Sequence, residues 1–294
     1  MLDINKIESK NEVYVSGILN ELEIVEGITN DGRGWVRGNA QIRVDQEIDG
    51  VVTENIIPVR MFSMRKKKDG TDNKVYDRIV GYKEKFTSLA AADDESEASK
   101  ITISNGRIEE NPYVNREGNV VSSWQISANF LNDYRNNDEE SAKFEVVGVI
   151  ANIRQEVNRD GDETGRDIIS LVLVGYAGKA NVIDLIASGS AKDFIETNWN
   201  KGDTVHVTGR ISMTRKVVTW KEEQGFGEPI LRSRTESRKE LIITGGSPSG
   251  LEEALSYDAN DVKIILNKRK ADHEALKNER TAKVSPKKTI DLGF

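Results

Sequence analysis

The sequence predicts a mainly β protein: two tandem five-stranded Greek-key barrels followed by a helical, flexible and basic C-terminal tail. Three observations carry that prediction. Runs rich in β-branched residues recur as far as Ile243. The marks of the first half return, in the same order, in the second. From Gly245 the pattern changes to a Gly/Ser linker and then to helical spacing.

The elements follow in order. Val13 to Leu19 is β-branched and runs on through Leu22 and Ile24, which predicts a long first strand. Asp31-Gly32-Arg33-Gly34 reads as a turn, and Trp35 to Val44 as the second strand. Ile56 to Phe62 is the third. The basic run Arg65-Lys66-Lys67-Lys68 ends in the turn signal Asp69-Gly70, and Val75 to Tyr82 is expected as a strand or the far arm of a hairpin. Lys83 to Lys100 is expected to hold a short helix and an exposed acidic loop. Strands resume at Ile101 to Ile108 and at Val120 to Phe130, separated by the polar stretch Glu109 to Asn119.

After the charged segment from Asn132 to Glu140 the pattern starts again, as an internal repeat. Val15-Ser16-Gly17-Ile18-Leu19 is echoed by Val146-Val147-Gly148-Val149-Ile150. Ile101 to Ile108, which contains Gly106-Arg107-Ile108, is echoed by Val205 to Ile211 with Gly209-Arg210-Ile211. Tyr113 precedes Gly118 as Trp220 precedes Gly225. Ile168 to Val174 and Asn181 to Ile186 supply the middle strands of the second copy, and Ala191 to Trp199 its helix. Five strands with a helix between the third and fourth is an OB-like plan. The expected division is an N-terminal extension over 1–10, barrels over 11–135 and 142–245, and a tail over 246–294, with a helix marked by Leu251, Leu255, Val262, Ile265 and Leu266.

Composition narrows the function. With 37% hydrophobic and 31% charged residues and a mean hydropathy of −0.54, the chain is polar but globular. No cysteine is present, so disulfides, thiol catalysis and thiolate metal sites are excluded. His206 and His273 are the only histidines, too few for a triad or a His-rich metal site. The loop Asn158 to Gly165 fails the spacing of a calcium-binding loop and reads as a hairpin turn. No carboxylate is paired with a recognisable base or nucleophile, so the expectation is a non-enzyme with no metal or cofactor. No apolar run suggests a signal peptide or membrane span, and a cytoplasmic protein, in the host cytoplasm if phage-encoded, is expected. The net charge of −7 does not exclude a polyanionic partner, because a local groove of Lys and Arg governs phosphate binding.

The order V-x-G-[IV]-[LI], a third strand Ile57-Pro58-Val59-Arg60-Met61-Phe62, a Lys201-Gly202-Asp203 turn, Gly-Arg-Ile and an aromatic hairpin closed by glycine resembles the single-stranded DNA-binding proteins of bacteria and their phages. Two copies in one chain depart from the single copy usual in that family, whose members assemble as tetramers, and look like a phage or prophage variant. The resemblance implies sequence-independent binding of single-stranded DNA in replication or recombination. It places Phe62 where the family has a stacking aromatic and Tyr113 in register with Trp220.

Single strands are held by cations that track the backbone and by aromatic faces on which bases stack. The candidates are Trp35, Arg60, Phe62 and Tyr113 in the first copy, and Lys216, Trp220, Lys221, Arg232 and Arg234 in the second. Arg232, Arg234 and Arg238 share one strand face, although Glu222, Glu223, Glu228, Glu236 and Glu240 dilute their field. Trp35 and Trp124 have a core role as rival, and Trp199 reads as core. On strand three of the second copy, Ile186-Ala187-Ser188 supplies no aromatic, so the barrels are expected to contribute unequally. The tip Asp291-Leu292-Gly293-Phe294 resembles the acidic, Phe-terminated tip with which the family docks on replication and repair proteins, making Asp291, Leu292 and Phe294 candidates for partner binding. The alternatives are a protein-interaction or virion scaffold that uses the same barrels, and an RNA-binding protein of the same fold.

Overall fold

The β-branched, alternating runs become strands with one face buried. In a computed structural model, residues 1–48, 51–134, 139–158, 160–222, 226 and 230–283 are described. The first copy comprises β1 (Asn11–Ile28), β2 (Gly34–Ile48), β3 (Val51–Met64), α1 (Lys74–Lys85), β4 (Lys100–Ser104), β5 (Arg107–Val114), β6 (Val120–Ser127) and β7 (Phe130–Asp133). The second comprises β8 (Ser141–Val157), β9 (Glu163–Gly175), β10 (Lys179–Ala187), α2 (Ser190–Asn198), β11 (Thr204–Glu222) and β12 (Ile230–Gly246). A long helix, α3 (Ala259–Lys283), follows.

Each copy closes as an OB barrel. In the second, β8, β9 and β10 form an antiparallel meander, β10 meets β12 in parallel at Ile186 and Ile242, β12 pairs β11, and β11 returns to β8. In the first, β1, β2 and β3 form the meander, and β3 meets β6 in parallel at Val59 and Ile126. Its fourth strand is broken into β4 and β5 at Asn105, which has φ 54°, and Gly106. Its fifth is broken into β6 and β7 at Ala128 and Asn129. Closure onto β1 runs through Ser16 and Thr102. A glycine is required where β1 presses on β2: a Cβ on Gly17 would lie 2.1 Å from the Arg43 carbonyl oxygen, and one on Gly148 would lie 2.7 Å from that of Val172.

The barrels share one sheet and one core. Asn11 to Ser16 of β1 pair antiparallel with Val146 to Ser141 of β8. Leu19, Ile42, Ile57 and Ile101 from the first copy and Phe144, Leu171, Val205 and Leu241 from the second lie in a single buried cluster. The hairpin arms cross between copies. Met213 on β11 donates its N–H to Asn55 Oδ1 on β3 at 3.0 Å, while Glu110 on β5 accepts from the Val182 N–H on β10 at 3.3 Å.

Four expectations are corrected. Val75 to Tyr82 is helix, not strand: Tyr76, Ile79 and Tyr82 are buried at helical spacing, and the Asn73 side chain caps the Val75 N–H. The helix expected over 83–100 is reduced to two single turns, Leu89–Ala91 and Glu95–Glu97. The polar stretch expected to separate the strands is itself strand as far as Val114, because β5 runs beyond the barrel as an arm whose two faces both tolerate polar side chains. The C-terminal helix starts at Ala259, after a single turn at Glu253–Leu255, so Leu251 and Leu255 lie outside it.

Helix α3 packs on the second barrel. Val262 and Ile265, with Tyr257 and Ile4, form a second buried cluster with Val149, Val172, Val174 and Ala180, which are outward-facing residues of β8, β9 and β10. Farther along the helix, Arg269 Nε donates to Glu110 Oε2 at 2.8 Å, tying α3 to the arm of the first barrel. Burial pushes the Glu110 carboxyl up, but hydrogen bonds from Arg269 and Ser122 more than offset it and hold it below the ordinary value. No described helix is long and apolar enough to cross a membrane.

Candidate nucleic-acid interface

Alternation along β2 and β3 puts Val36, Ala40, Val59 and Met61 in the core and turns their neighbours outward. Antiparallel register then sets Arg37 opposite Phe62, Asn39 opposite Arg60, and Trp35 opposite Met64. Phe62 is 55% exposed, and Arg37 and Arg60 are exposed. Among the described residues, neither arginine has a carboxylate partner. Trp35 is half-buried against Gly27, its partner on β1, where a Cβ would lie 2.3 Å from the indole. The Arg37 guanidinium stands 5.9 Å from the Trp35 ring centre. Beyond β3, Lys66, Lys67 and Lys68 are exposed on the turn before α1. This surface offers cations beside an exposed aromatic, the combination that holds a single strand.

The corresponding surface of the second barrel is closed. Gly17 and Gly148 are counterparts and press on Arg43 and Val172. Those residues pair with Ile56 and Val182. Counting along the strands from there makes Arg166 the counterpart of Arg37, Ile186 that of Arg60, and Ser188 that of Phe62. Arg166 is clamped between Glu156, at 2.7 Å, and Glu240, at 2.7 Å. Hydrogen bonds from the Arg166 guanidinium hold the Glu156 carboxyl down at about 2. Arg154 is likewise paired with Asp184 at 2.9 Å. Val172 and Val174 lie under α3. One OB face is open, with Arg37 and Arg60 exposed and without carboxylate partners among the described residues although Glu21 and Glu23 stand on β1 beside them, and its twin is neutralised and roofed.

The other sequence candidates fall on the arms. Tyr113 is 49% exposed on β5. Trp220 is 44% exposed on β11, opposite Arg232. Arg232 is paired with Glu222 at 2.6 Å, and Arg238 with Glu240 at 2.7 Å, so the acids of the arm neutralise part of its positive field. Lys221 is exposed, and Phe226, near the tip of the arm, is 92% exposed. Lys216 and Arg234 stand on β11 and β12, opposite Glu236 and Val218, while their side chains lie outside the described residues. Asp291, Leu292 and Phe294 also lie outside the described residues. Trp199 is buried, its indole donating to the Ser247 carbonyl at 3.0 Å.

Sequence reasoning missed Arg37, and it placed Lys239 among the cations of the second hairpin without finding what that side chain touches. Arg37 was detectable, since it follows Trp35 by two residues and so shares its face. The contact of Lys239 was not, because it depends on a crossing between copies: its ammonium lies 4.0 Å from the Trp124 ring centre and donates to the Trp124 carbonyl. Trp124 itself is buried.

Two other features do not suit a polyanion or a metal. A cleft of about 1000 Å³ between the barrels is lined by Glu12, Asp45, Asp133, Glu140 and Glu145 against Lys143 and Arg210, a balance that repels phosphate. Among the described residues, no group of three His, Asp or Glu side chains is placed to hold a metal ion.

A family model, YorF, matches residues 10–280, which take in both barrels and most of α3. Comparison with curated proteins returns no match. Among solved structures, the wild-type single-stranded DNA-binding protein from Thermus aquaticus is similar with a TM-score of 0.49 and 14% identity, covering 85% of this chain and 98% of that one. A deletion mutant of the same Thermus protein is similar with a TM-score of 0.49 and 15% identity, covering 84% and 97%.

Proposed function

The chain belongs to the YorF family, and we propose that it binds single-stranded DNA without reading its sequence, on the open β1–β2–β3 face of its first barrel. The observation that carries this reading is the pairing of Arg37 with Phe62 and of Asn39 with Arg60 across adjacent strands, on a face with no carboxylate partner for either arginine among the described residues. In OB folds the face of strands two and three is where oligonucleotides and oligosaccharides bind. Two cations without carboxylate partners and the neighbouring Lys66 to Lys68 favour the polyanion over a neutral sugar.

In this reading bases stack on Phe62 and Trp35 while Arg37, Arg60 and the lysine turn follow the phosphates. Tyr113, Trp220, Lys216, Lys221, Arg232 and Arg234 extend the track along the two arms. The protein's place is on DNA unwound during replication or recombination, as a tandem, phage-type variant, with Asp291, Leu292 and Phe294 offered to a protein partner.

Tryptophan quenching on titration with oligo-dT tests the reading, with duplex DNA and an RNA oligomer of equal length as comparisons over a salt series. The expected result is preferential, salt-dependent binding of oligo-dT, with a log–log salt slope of about −0.7 per phosphate contacted. Absence of binding at low salt overturns it, and stronger binding of the RNA oligomer reassigns the ligand.

A further inference from the structure

The exposed ring of Phe62 sits where β3 runs out of its partner strand. β3 and β6 pair at Val59 with Ile126 and at Arg60 with Ser127, and the Ala128 N–H then donates to the Arg60 carbonyl at 2.9 Å. Backbone donors on one edge of a strand recur every second residue, so the next N–H on that edge is that of Phe62. β6 has ended at Ser127, and a side chain takes over the ladder: Asn129 Oδ1 accepts the Phe62 N–H at 2.9 Å. Asn129 is itself fixed from the core. The buried Tyr82 of α1 donates its hydroxyl proton to the Asn129 carbonyl at 3.1 Å and accepts the Leu131 N–H at 3.0 Å. In the second copy Ile186 pairs with Ile242 as Arg60 pairs with Ser127, so two residues farther along both strands Ser188 and Thr244 are the counterparts of Phe62 and Asn129. Among the described residues no side-chain bond joins Ser188 to Thr244, so the link belongs to the copy whose OB face is open.

We propose that Asn129 is a positioning residue for base stacking: its amide oxygen holds the backbone of Phe62, and through it the ring, in the orientation that a base meets. A ring that is 55% exposed has few side-chain neighbours to fix its direction, so the backbone beneath it decides where it points. Holding that backbone in advance removes an ordering cost that binding would otherwise bear. A carboxamide suits the place, because it accepts the N–H without setting a negative charge beside the exposed Arg37 and Arg60. This inference rests on the single-stranded DNA reading above.

The test joins hydrogen exchange at the Phe62 amide, read by NMR, to oligo-dT affinity over a salt series, for the full chain and for Asn129→Ala, Phe62→Ala and the double variant. Asn129→Ala is expected to speed exchange at Phe62 and to weaken binding about 3- to 10-fold, with an unchanged log–log salt slope because no phosphate contact is lost. In the Phe62→Ala background the same substitution should cost nothing further, since its effect passes through the ring. Asn129→Asp, which keeps the acceptor oxygen, should restore slow exchange at Phe62. Losses that multiply in the double variant overturn the proposal, as does wild-type affinity or unaltered exchange in Asn129→Ala while the unsubstituted chain binds tightly. A shortened slope in Asn129→Ala makes Asn129 a phosphate contact and overturns it too. If the unsubstituted chain binds no oligo-dT, the single-stranded DNA reading falls, and the role of Asn129 with it.

Discussion

Val13 on β1 faces Phe144 on β8, and the two are the same position of the repeat. The alignment of Val15-x-Gly17 with Val146-x-Gly148 makes Val13 the counterpart of Phe144, Asn11 that of Ala142, and Val15 that of Val146. The observed pairs are Asn11 with Val146 and Val15 with Ala142, so each residue meets the counterpart of the one equally far beyond Val13. The barrels are therefore related by a pseudo-two-fold axis through this pair. The same axis explains why each copy lays its arm on the third strand of the other.

Because the buried cluster runs through this axis, the two barrels are expected to unfold together. Phe144 is 3% exposed, and its ring fills the space that a Cβ on Gly209 would enter. Phe144→Ala should cost about 3–5 kcal/mol and lower the denaturant midpoint in a single transition. Two separated transitions in the unsubstituted protein, seen by circular dichroism and tryptophan emission, would argue against a shared core.

The close approach at Gly17 predicts a second stability effect. A methyl there meets a backbone oxygen that cannot swing aside, so Gly17→Ala should destabilise by about 1–3 kcal/mol. Differential scanning calorimetry would show it as a lowered melting temperature.

The inequality of the two OB faces predicts opposite phenotypes at counterpart positions. Phe62→Ala and Arg37→Ala should weaken oligo-dT binding, with about 1–3 kcal/mol lost for the stacked ring, and should leave the melting temperature within a few degrees of the parent. Arg166→Ala should instead lower stability, because it leaves the half-buried Glu156 and Glu240 with Arg238 as their shared cation, and should leave DNA affinity unchanged. Equal losses of affinity at Arg37 and Arg166 would show that both faces bind.

The arm makes a separate prediction. Trp220 is exposed on β11 well beyond the point where the arm crosses β3, so Trp220→Ala should reduce DNA-induced quenching and weaken binding without unfolding the protein. A large fall in melting temperature with unchanged affinity per folded molecule would place Trp220 in the structural core.

The Glu156–Arg166–Glu240 cluster predicts an acid-side loss of stability. Glu156 is held at about 2 in the folded chain against an ordinary 4.5. Its contribution is therefore fully present above about pH 4.5 and is lost as pH falls from there toward 2. With partial solvent screening the loss should be about 1–2 kcal/mol, and it should be absent in Glu156→Gln when unfolding is measured between pH 5 and 2.5.

Much of this was legible in local pattern. Val15-x-Gly17 and its echo at Val146-x-Gly148 mark the repeat, because each glycine meets the same close approach to a second strand. Period-two alternation placed Arg60 and Phe62 on one face, and the helical spacing of Phe194, Ile195 and Trp199 marked α2 and a buried indole. Local pattern misread Val75 to Tyr82, where β-branched and aromatic residues suit a strand by composition and a helix by spacing. It also misread Glu109 to Val114, whose polar character reflects an arm beyond the barrel rather than a loop.

Strand order within each copy and the stock of cations and aromatics follow from side-chain type and period, which act between near neighbours. Which face of which barrel stays open does not. Arg37 and Arg166 are the same residue at the same position of the repeat, and only the carboxylates of Glu156 and Glu240 and the packing of Val262 and Ile265 over Val172 separate an exposed cation from a neutralised one. Those partners come from elsewhere in the chain, as does the contact between Lys239 and Trp124. Strand pairing within the second barrel and the docking of α3 decide the first, and the crossing of the arm onto the first barrel decides the second.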